Sequence, residues 1–409
     1  MVNDLIIIGG GASGLCAAVY FKQKNPNANV RILESGTRVG KKLALTGNGR
    51  CNITNSNIEL SRYHGNNVEF CRYALEKYDR FVVEDFFSQI GVNYIFEGEK
   101  AYPSSLQAAS VVDCLRFAAD ELGVITHLES KVSNITISKG NYKVICDKLS
   151  FLSKKVIVAA GLLSGGERLG CDGKMLELLK NAGFKTVKTS PAIVQLKTET
   201  ETVKQLKGIK IDADVTLLIN GKKIRTEFGE TLFCDYGLSG PPILQISRGA
   251  DVNQGKCEIS LDIMPNSNFN DLFSQLESRA KNLKNRNVDE FFTGMLNKRV
   301  GQVLLKLSGC KLTDKVSTID AVKLKKLVSL IKDWRFTVTG NTGYANSQVT
   351  AGGLDTTDFF DNTMECRSAE GLYAIGEILD IDGDCGGFNL QWAWSSAMCA
   401  ADAISEELK

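Results

Sequence analysis

Gly9, Gly11 and Gly14 stand in the spacing G-x-G-x-x-G, directly after the apolar run Leu5-Ile6-Ile7-Ile8 and directly before Leu15-Cys16-Ala17-Ala18-Val19. Each glycine answers a separate steric demand of dinucleotide binding. The first permits a tight turn, the second lets a pyrophosphate approach the backbone, and the third lets a helix pack closely on a strand. The helix start then offers its unpaired N–H groups and positive dipole end to phosphate. Glu34 closes the next apolar run, Val30-Arg31-Ile32-Leu33, twenty residues past Gly14. A carboxylate there accepts both hydroxyls of an adenosine ribose and repels a 2′-phosphate. Strand, glycines, helix, strand and acid in this order predict a dinucleotide site.

A second set of such residues lies near the other end. The apolar run Leu372-Tyr373-Ala374-Ile375 delivers Gly376 and Glu377, and a turn through Asp384, Cys385, Gly386 and Gly387 opens the apolar helical stretch that begins Phe388-Asn389. A helix start there can aim N–H groups at one end of a ring system and stabilise its anionic form. Asp380, Asp382 and Asp384 match no EF-hand spacing, so no metal is assigned. The loop Ser35–Asn57 carries Lys41, Lys42 and Arg50, which can neutralise phosphate or an anionic ring. Only His64 and His127 exist, so the candidates for a proton donor are Tyr102, Tyr236 and Cys385, each of which also reads as a core or turn residue. A single glycine fingerprint and the absence of C-x-x-C argue against a second nicotinamide domain or a disulfide relay.

Elements that could position these groups follow from the hydrophobic periods. Val68–Ile90, about 105–122 and about 172–181 read as helices, and Lys155–Gly161 as a buried strand ending in small residues. Past Pro191, short alternating runs predict an antiparallel sheet or barrel, and the lysine- and leucine-rich stretch 270–330 predicts helices with solvated lysine faces. The expected fold class is α/β, with a dinucleotide site begun at residue 9 and completed near the C-terminal end. A net charge of +2 over 409 residues gives no global pull toward nucleic acid or membrane. Twelve scattered cysteines read as reduced, buried thiols of a cytoplasmic protein, and no apolar stretch is long enough to span a bilayer.

Gly9 to Gly14, Thr46-Gly47-Asn48-Gly49-Arg50-Cys51-Asn52-Ile53-Thr54-Asn55, Tyr236-Gly237-Leu238-Ser239-Gly240-Pro241, Val349-Thr350-Ala351-Gly352-Gly353 and Gly376 to Trp394 together resemble one bacterial family of single-Rossmann flavoproteins. That family includes aminoacetone oxidase and the flavin-dependent bile-acid ring reductases. The resemblance implies non-covalent FAD in a glutathione-reductase-like domain from 1–190 and 340–409, with an inserted β-barrel from 191–265 and 334–339 and a helical subdomain from 266–333. It further implies a cofactor site that adds Ala12, Ser13, Ser35, Lys42, Thr46, Asn48, Gly49, Arg50, Cys51, Asn52, Val132, Ala160, Gly161, Gly376, Glu377, Asp384, Gly386, Gly387, Phe388 and Asn389 to Gly9, Gly11, Gly14 and Glu34. The chain departs from the family at Ala159-Ala160-Gly161-Leu162, where Ala-Thr-Gly-Gly is usual. It departs again in Leu163–Lys174, which lacks a proline and a tyrosine, and at Cys385, where threonine is common.

The chemistry expected is hydride transfer to or from flavin N5. One form is a reductase of a small or steroid-like activated C=C bond, with NAD(P)H as a transient donor. Alternatives are an oxidase of a small amine using dioxygen, and an RNA-directed or non-catalytic flavoprotein. The partner expected is a small molecule, with neither nucleic acid nor membrane; substrate and oligomeric state stay open.

Overall fold

The computed structural model describes residues 2–138, 140–147 and 149–408, and of Ser138 only the backbone. They form two compact units: one runs to Ala192 and resumes at Tyr344, and the other is Ile193–Gly343.

The first unit is built on a seven-stranded sheet with Val2–Ile8 at its centre. Val30–Leu33 and Leu149–Val158 flank that strand in parallel, Ile125–His127 extends one side, and Leu372–Ala374 pairs in parallel with Leu149–Val158. Val132–Ser138 and Asn141–Cys146 continue the sheet as an antiparallel hairpin. Leu5, Ile6 and Ile7 are wholly buried, which is why this run does not alternate: a parallel strand is covered on both faces. The covering helices Ala12–Lys24 and Phe388–Glu407 pack on one another, and small residues such as Ala17, Ala18, Ala397 and Ala401 are buried in them. Trp392 and Trp394 fill the space beneath, and truncating either to alanine removes about 3–5 kcal/mol.

Helix limits differ from the sequence reading where capping or backbone geometry intervenes. Val68–Ile90 is not one helix. It breaks into a 3-10 turn at Val68–Cys71, a short helix Arg72–Lys77 and a second helix Arg80–Gln89, because the Asp79 carboxylate accepts the N–H groups of Phe81 and Val82 and starts the helix anew. The next helix begins at Ala108 rather than 105, since Leu106 has φ +54°. Gly173, at φ +69°, delays the following one to Lys174.

In the second unit, Leu196–Thr198, Gly237–Ser239, Lys222–Phe233, Lys210–Ile219, Cys257–Asp262 and Trp334–Asn341 close a barrel in that order, which leaves no open sheet edge. Between its last two strands in sequence lie the helices Phe269–Asn282, Lys298–Leu307 and Ala321–Lys332, capped by Asn268, Asn297 and Asp320. Barrel residues Val215, Phe233 and Ile259 share one core with helix residues Leu276, Leu304 and Leu327. Among the described residues, no helix is long and apolar enough to cross a membrane.

Candidate functional site

The three fingerprint glycines are used differently. At Gly9, φ is +105° and an added Cβ would lie 2.5 Å from the Ala159 carbonyl oxygen; at Gly14 it would lie 2.0 Å from the Gly9 oxygen. Those two positions hold strand and helix together. At Gly11 an added Cβ would meet nothing within 4 Å, so this face of the turn is open. Ala12 and Ser13 begin the helix, which has no side-chain cap, and Ser13 is buried against Gly376, where a Cβ would approach its Oγ to 2.7 Å.

Glu34 stands at the end of its strand and is partly engaged. Gly10 N–H donates to its Oε2 at 2.8 Å, and Gly36 N–H to its Oε1 at 2.6 Å, with the Ser35 hydroxyl at 3.4 Å. A carboxylate has about four acceptor positions, so capacity for ribose hydroxyls remains. Ser130 N–H donates to the Glu34 carbonyl at 2.8 Å, which brings half-buried Val132 to the same edge.

Lys42 and Glu377 meet from opposite ends of the chain, with Nζ 2.5 Å from Oε2, while Glu377 Oε1 accepts from Thr350 N–H at 2.9 Å. Gly161, following Ala160 at φ +64°, leaves room beside this carboxylate: a Cβ there would lie 3.9 Å from Oε2. Sequence reasoning did not assign Thr350. Its hydroxyl accepts from the N–H groups of Leu163 and Ser164 and joins a buried chain of Ser164 and Ser347 hydroxyls at 2.8 and 2.7 Å. The segment after Gly161 was also not assigned, yet it lies here. Gly170 faces Ser35, and burial raises the Cys171 thiol with Lys42, Glu377 and Glu34 among the charges acting on it. The signal was the glycine run Gly165-Gly166, which lacked a motif to identify it.

The loop that carries Lys42 continues through a left-handed turn. Gly47, Asn48 and Gly49 have φ of +58°, +56° and +83°, and Cys51 has +59°, an uncommon conformation for residues bearing a Cβ. Thr46 Oγ donates to the Leu43 carbonyl at 2.7 Å, Asn48 and Gly49 are exposed, and burial pushes the Cys51 thiol up to about 12, leaving it unreactive. The Arg50 guanidinium lies 4.3 Å from the centre of the Tyr102 ring and pairs with Glu97. Burial raises the Tyr102 phenol above its ordinary value, against the lowering pull of Arg50. Cys385 is among the groups acting on Tyr102, and burial likewise raises its thiol. Tyr102 and Cys385 therefore share a neighbourhood. Tyr236 belongs to the other unit, beside the barrel strand Gly237–Ser239, where its carbonyl accepts from Thr198 N–H.

At the start of the C-terminal helix, Asn55 Nδ2 donates to the Gly386 carbonyl at 2.8 Å, and Gly387 takes φ +102°. A Cβ at Gly387 would lie 2.6 Å from the Thr54 oxygen and 2.9 Å from Asn52 Oδ1. No side chain caps this helix. Phe388 turns its ring into the core against Tyr63, so only its backbone faces the helix end. Two expected side chains are engaged elsewhere: Asp384 is buried on His64 and Arg62, and the Asn389 carboxamide binds both the N–H and the carbonyl of Gly383. Both shape the turn, because each ties it to its own backbone or to a neighbouring strand. Among the described residues, no group of three or more His, Cys, Asp or Glu side chains could hold a metal.

A family model described as the HI0933-like protein Rossmann domain matches residues 3–403. The chain is 33% identical over 408 residues to a 3-dehydro-bile acid delta(4,6)-reductase of Clostridium scindens, covering 99% of this chain and 100% of the relative. It is 31% identical over 416 residues to a ribosomal RNA dihydrouridine synthase of Haemophilus influenzae, covering 99% of each. In fold it is similar to a quinol fumarate reductase of E. coli, with a TM-score of 0.52 at 14% identity, covering 99% of this chain and 70% of that one.

Proposed function

This chain belongs to the HI0933-like Rossmann family, and we propose that it is a cytoplasmic FAD-dependent oxidoreductase that reduces a carbon–carbon double bond conjugated to a carbonyl. The observation that carries this reading is the full-length 33% identity to an enzyme named for reducing such bonds in a bile acid. That enzyme's activity, applied here, makes a steroid-like or smaller enone the substrate class.

The residues present fit FAD. The open face at Gly11 is space that any Cβ would fill, and Asn52 Oδ1 is a buried acceptor with no partner. Gly11, the helix start at Ala12 and Lys42 would hold the pyrophosphate, Glu34 the adenosine ribose, and the uncapped start of the C-terminal helix the anionic end of the ring. When bound, FAD supplies two-electron hydride exchange at N5.

The chain's own chemical duty is then a proton. Reduction adds a hydride to one carbon and a proton to its neighbour, while NAD(P)H, the proposed donor, becomes NAD(P)+. Tyr102 is the proton donor of this reading: its phenol is held protonated by burial, and Arg50 over its ring favours the phenolate left after transfer. Solvent restores the proton.

An anaerobic absorbance spectrum tests the reading. Flavin bands that bleach with NADH or NADPH and return on addition of a 3-oxo-Δ4 steroid support it; bands unchanged by both nucleotides remove the nucleotide-driven reductase. Peroxide formed from an amine and dioxygen would point to the oxidase instead.

A second reading is favoured by the Haemophilus influenzae relative. The uracil C5=C6 bond is also conjugated to a carbonyl, so the same chemistry would act on a nucleotide within RNA. Binding of ribosomal RNA with a steep salt slope, followed by loss of uridine, would select it.

A further inference from the structure

Two buried side-chain polar atoms among the described residues have no hydrogen-bond partner: Asn52 Oδ1 and Thr231 Oγ1. Native proteins leave few such atoms, and one beside a cofactor site calls for a partner from outside the chain. Thr231 lies in a barrel strand, whereas Asn52 lies at the candidate site. Asn52 is 8% exposed, and its oxygen sits where the backbone of Gly387 begins the twenty-residue C-terminal helix. That helix start is the independent second feature, since its N–H groups have no capping side chain.

The carboxamides nearby are already matched. Asn55 donates to the Gly386 carbonyl and accepts from Asn57 N–H, and Asn389 is paired with Gly383 through both its ends. A carboxamide presents one acceptor and one donor on adjacent atoms, so its complement must present a donor and an acceptor side by side. Phosphates only accept, and the dimethylbenzene end of a flavin does neither. The imide edge of the ring, with an N–H beside a carbonyl, does both, as does adenine, but the adenine goes with the ribose assigned to Glu34. Rotation about the Asn Cβ–Cγ bond is soft and roughly two-fold, so either end can turn to the ligand.

We propose that the Asn52 carboxamide recognises the imide edge of the isoalloxazine, its oxygen accepting from the ring N3–H and its amide donating to the adjoining carbonyl. The assignment rests on the FAD reading and gives the site a selectivity for flavins unsubstituted at N3.

The test is binding, read by quenching of flavin fluorescence as apoprotein is titrated with FAD or with N3-methyl-FAD. Wild type is expected to prefer FAD by about 10- to 100-fold, since methylation removes one hydrogen bond and strands its buried partner. In Asn52→Leu the two affinities converge, with FAD weakened. In Asn52→Asp, an acceptor without a donor, FAD is weakened but the preference survives. Asn52→Asp keeps the test decisive where circular dichroism shows Asn52→Leu to be misfolded. Equal binding of both flavins by wild type, or a full preference retained in Asn52→Leu, overturns the assignment while leaving the FAD reading intact. Binding of neither flavin by wild type overturns both.

Discussion

Lys42 and Glu377 stand 335 positions apart in sequence, and their side chains meet at 2.5 Å. The pair ties the loop after the second strand to the turn after Leu372–Ala374, and Thr350 N–H holds the other carboxylate oxygen. Both side chains retain partial exposure, at 28% and 18%, so the pair contributes about 1 kcal/mol or less to folding.

Glu377→Ala is expected to lower flavin occupancy of the purified protein while moving the melting temperature of the flavin-free form by no more than about 2–4 °C. Unchanged occupancy with a large fall in melting temperature would make the residue structural. Lys42→Ala should reproduce the loss, and the double variant should lose less than the sum.

Gly11→Val and Gly14→Val should fail in different ways. The first adds a side chain where nothing lies within 4 Å, so the protein folds and purifies without yellow colour. The second forces a Cβ to 2.0 Å from the Gly9 carbonyl and costs about 3 kcal/mol or more of stability. A yellow Gly11→Val protein would rule out the open face as the pyrophosphate seat.

Glu34→Arg should weaken FAD more than riboflavin 5′-phosphate, because only FAD carries the adenosine ribose. Some loss is expected for both. The carboxylate also accepts from Gly10 and Gly36, and charge-assisted bonds of that kind are worth about 1.5–3 kcal/mol each. Equal losses in isothermal titration would place the ribose elsewhere.

Tyr102→Phe should leave anaerobic reduction of the flavin by NAD(P)H at its wild-type rate and slow reoxidation by enone by about 10²–10⁴-fold. The wild-type rate of that second step should stay level through neutral pH. It should fall only in the alkaline range, as the phenol, raised by burial, loses the proton it donates. A similar loss in Cys385→Ser, with Tyr102→Phe unaffected, would transfer the role to the thiol.

The parts of this site that were legible in the sequence are those whose requirement is local. A turn at φ +105° followed by a helix start needs glycine at fixed offsets, a doubly covered strand needs an unbroken apolar run, and an acid at a strand end is fixed by the length of that strand. These constraints act over a few bonds, so the strand–turn–helix around Gly9, Gly11 and Gly14 and the place of Glu34 at its strand end could be read from spacing, while their hold on a dinucleotide remains the proposal. The barrel was legible for the same reason, through alternating runs and turn residues.

What only the tertiary structure decided is which distant groups meet. Asp384 and Asn389 looked available in the chain, yet His64, Arg62 and Gly383 engage them, whereas Asn52 is left with an unpaired buried oxygen. Arg50 over Tyr102, Thr350 on Glu377 and Lys42 beside the same carboxylate depend on how a loop and strands of separate sheets, far apart in sequence, are folded together. Hydrogen bonds and ion pairs are settled over about 3 Å, and the path of the chain, not residue type, brings two side chains within that range.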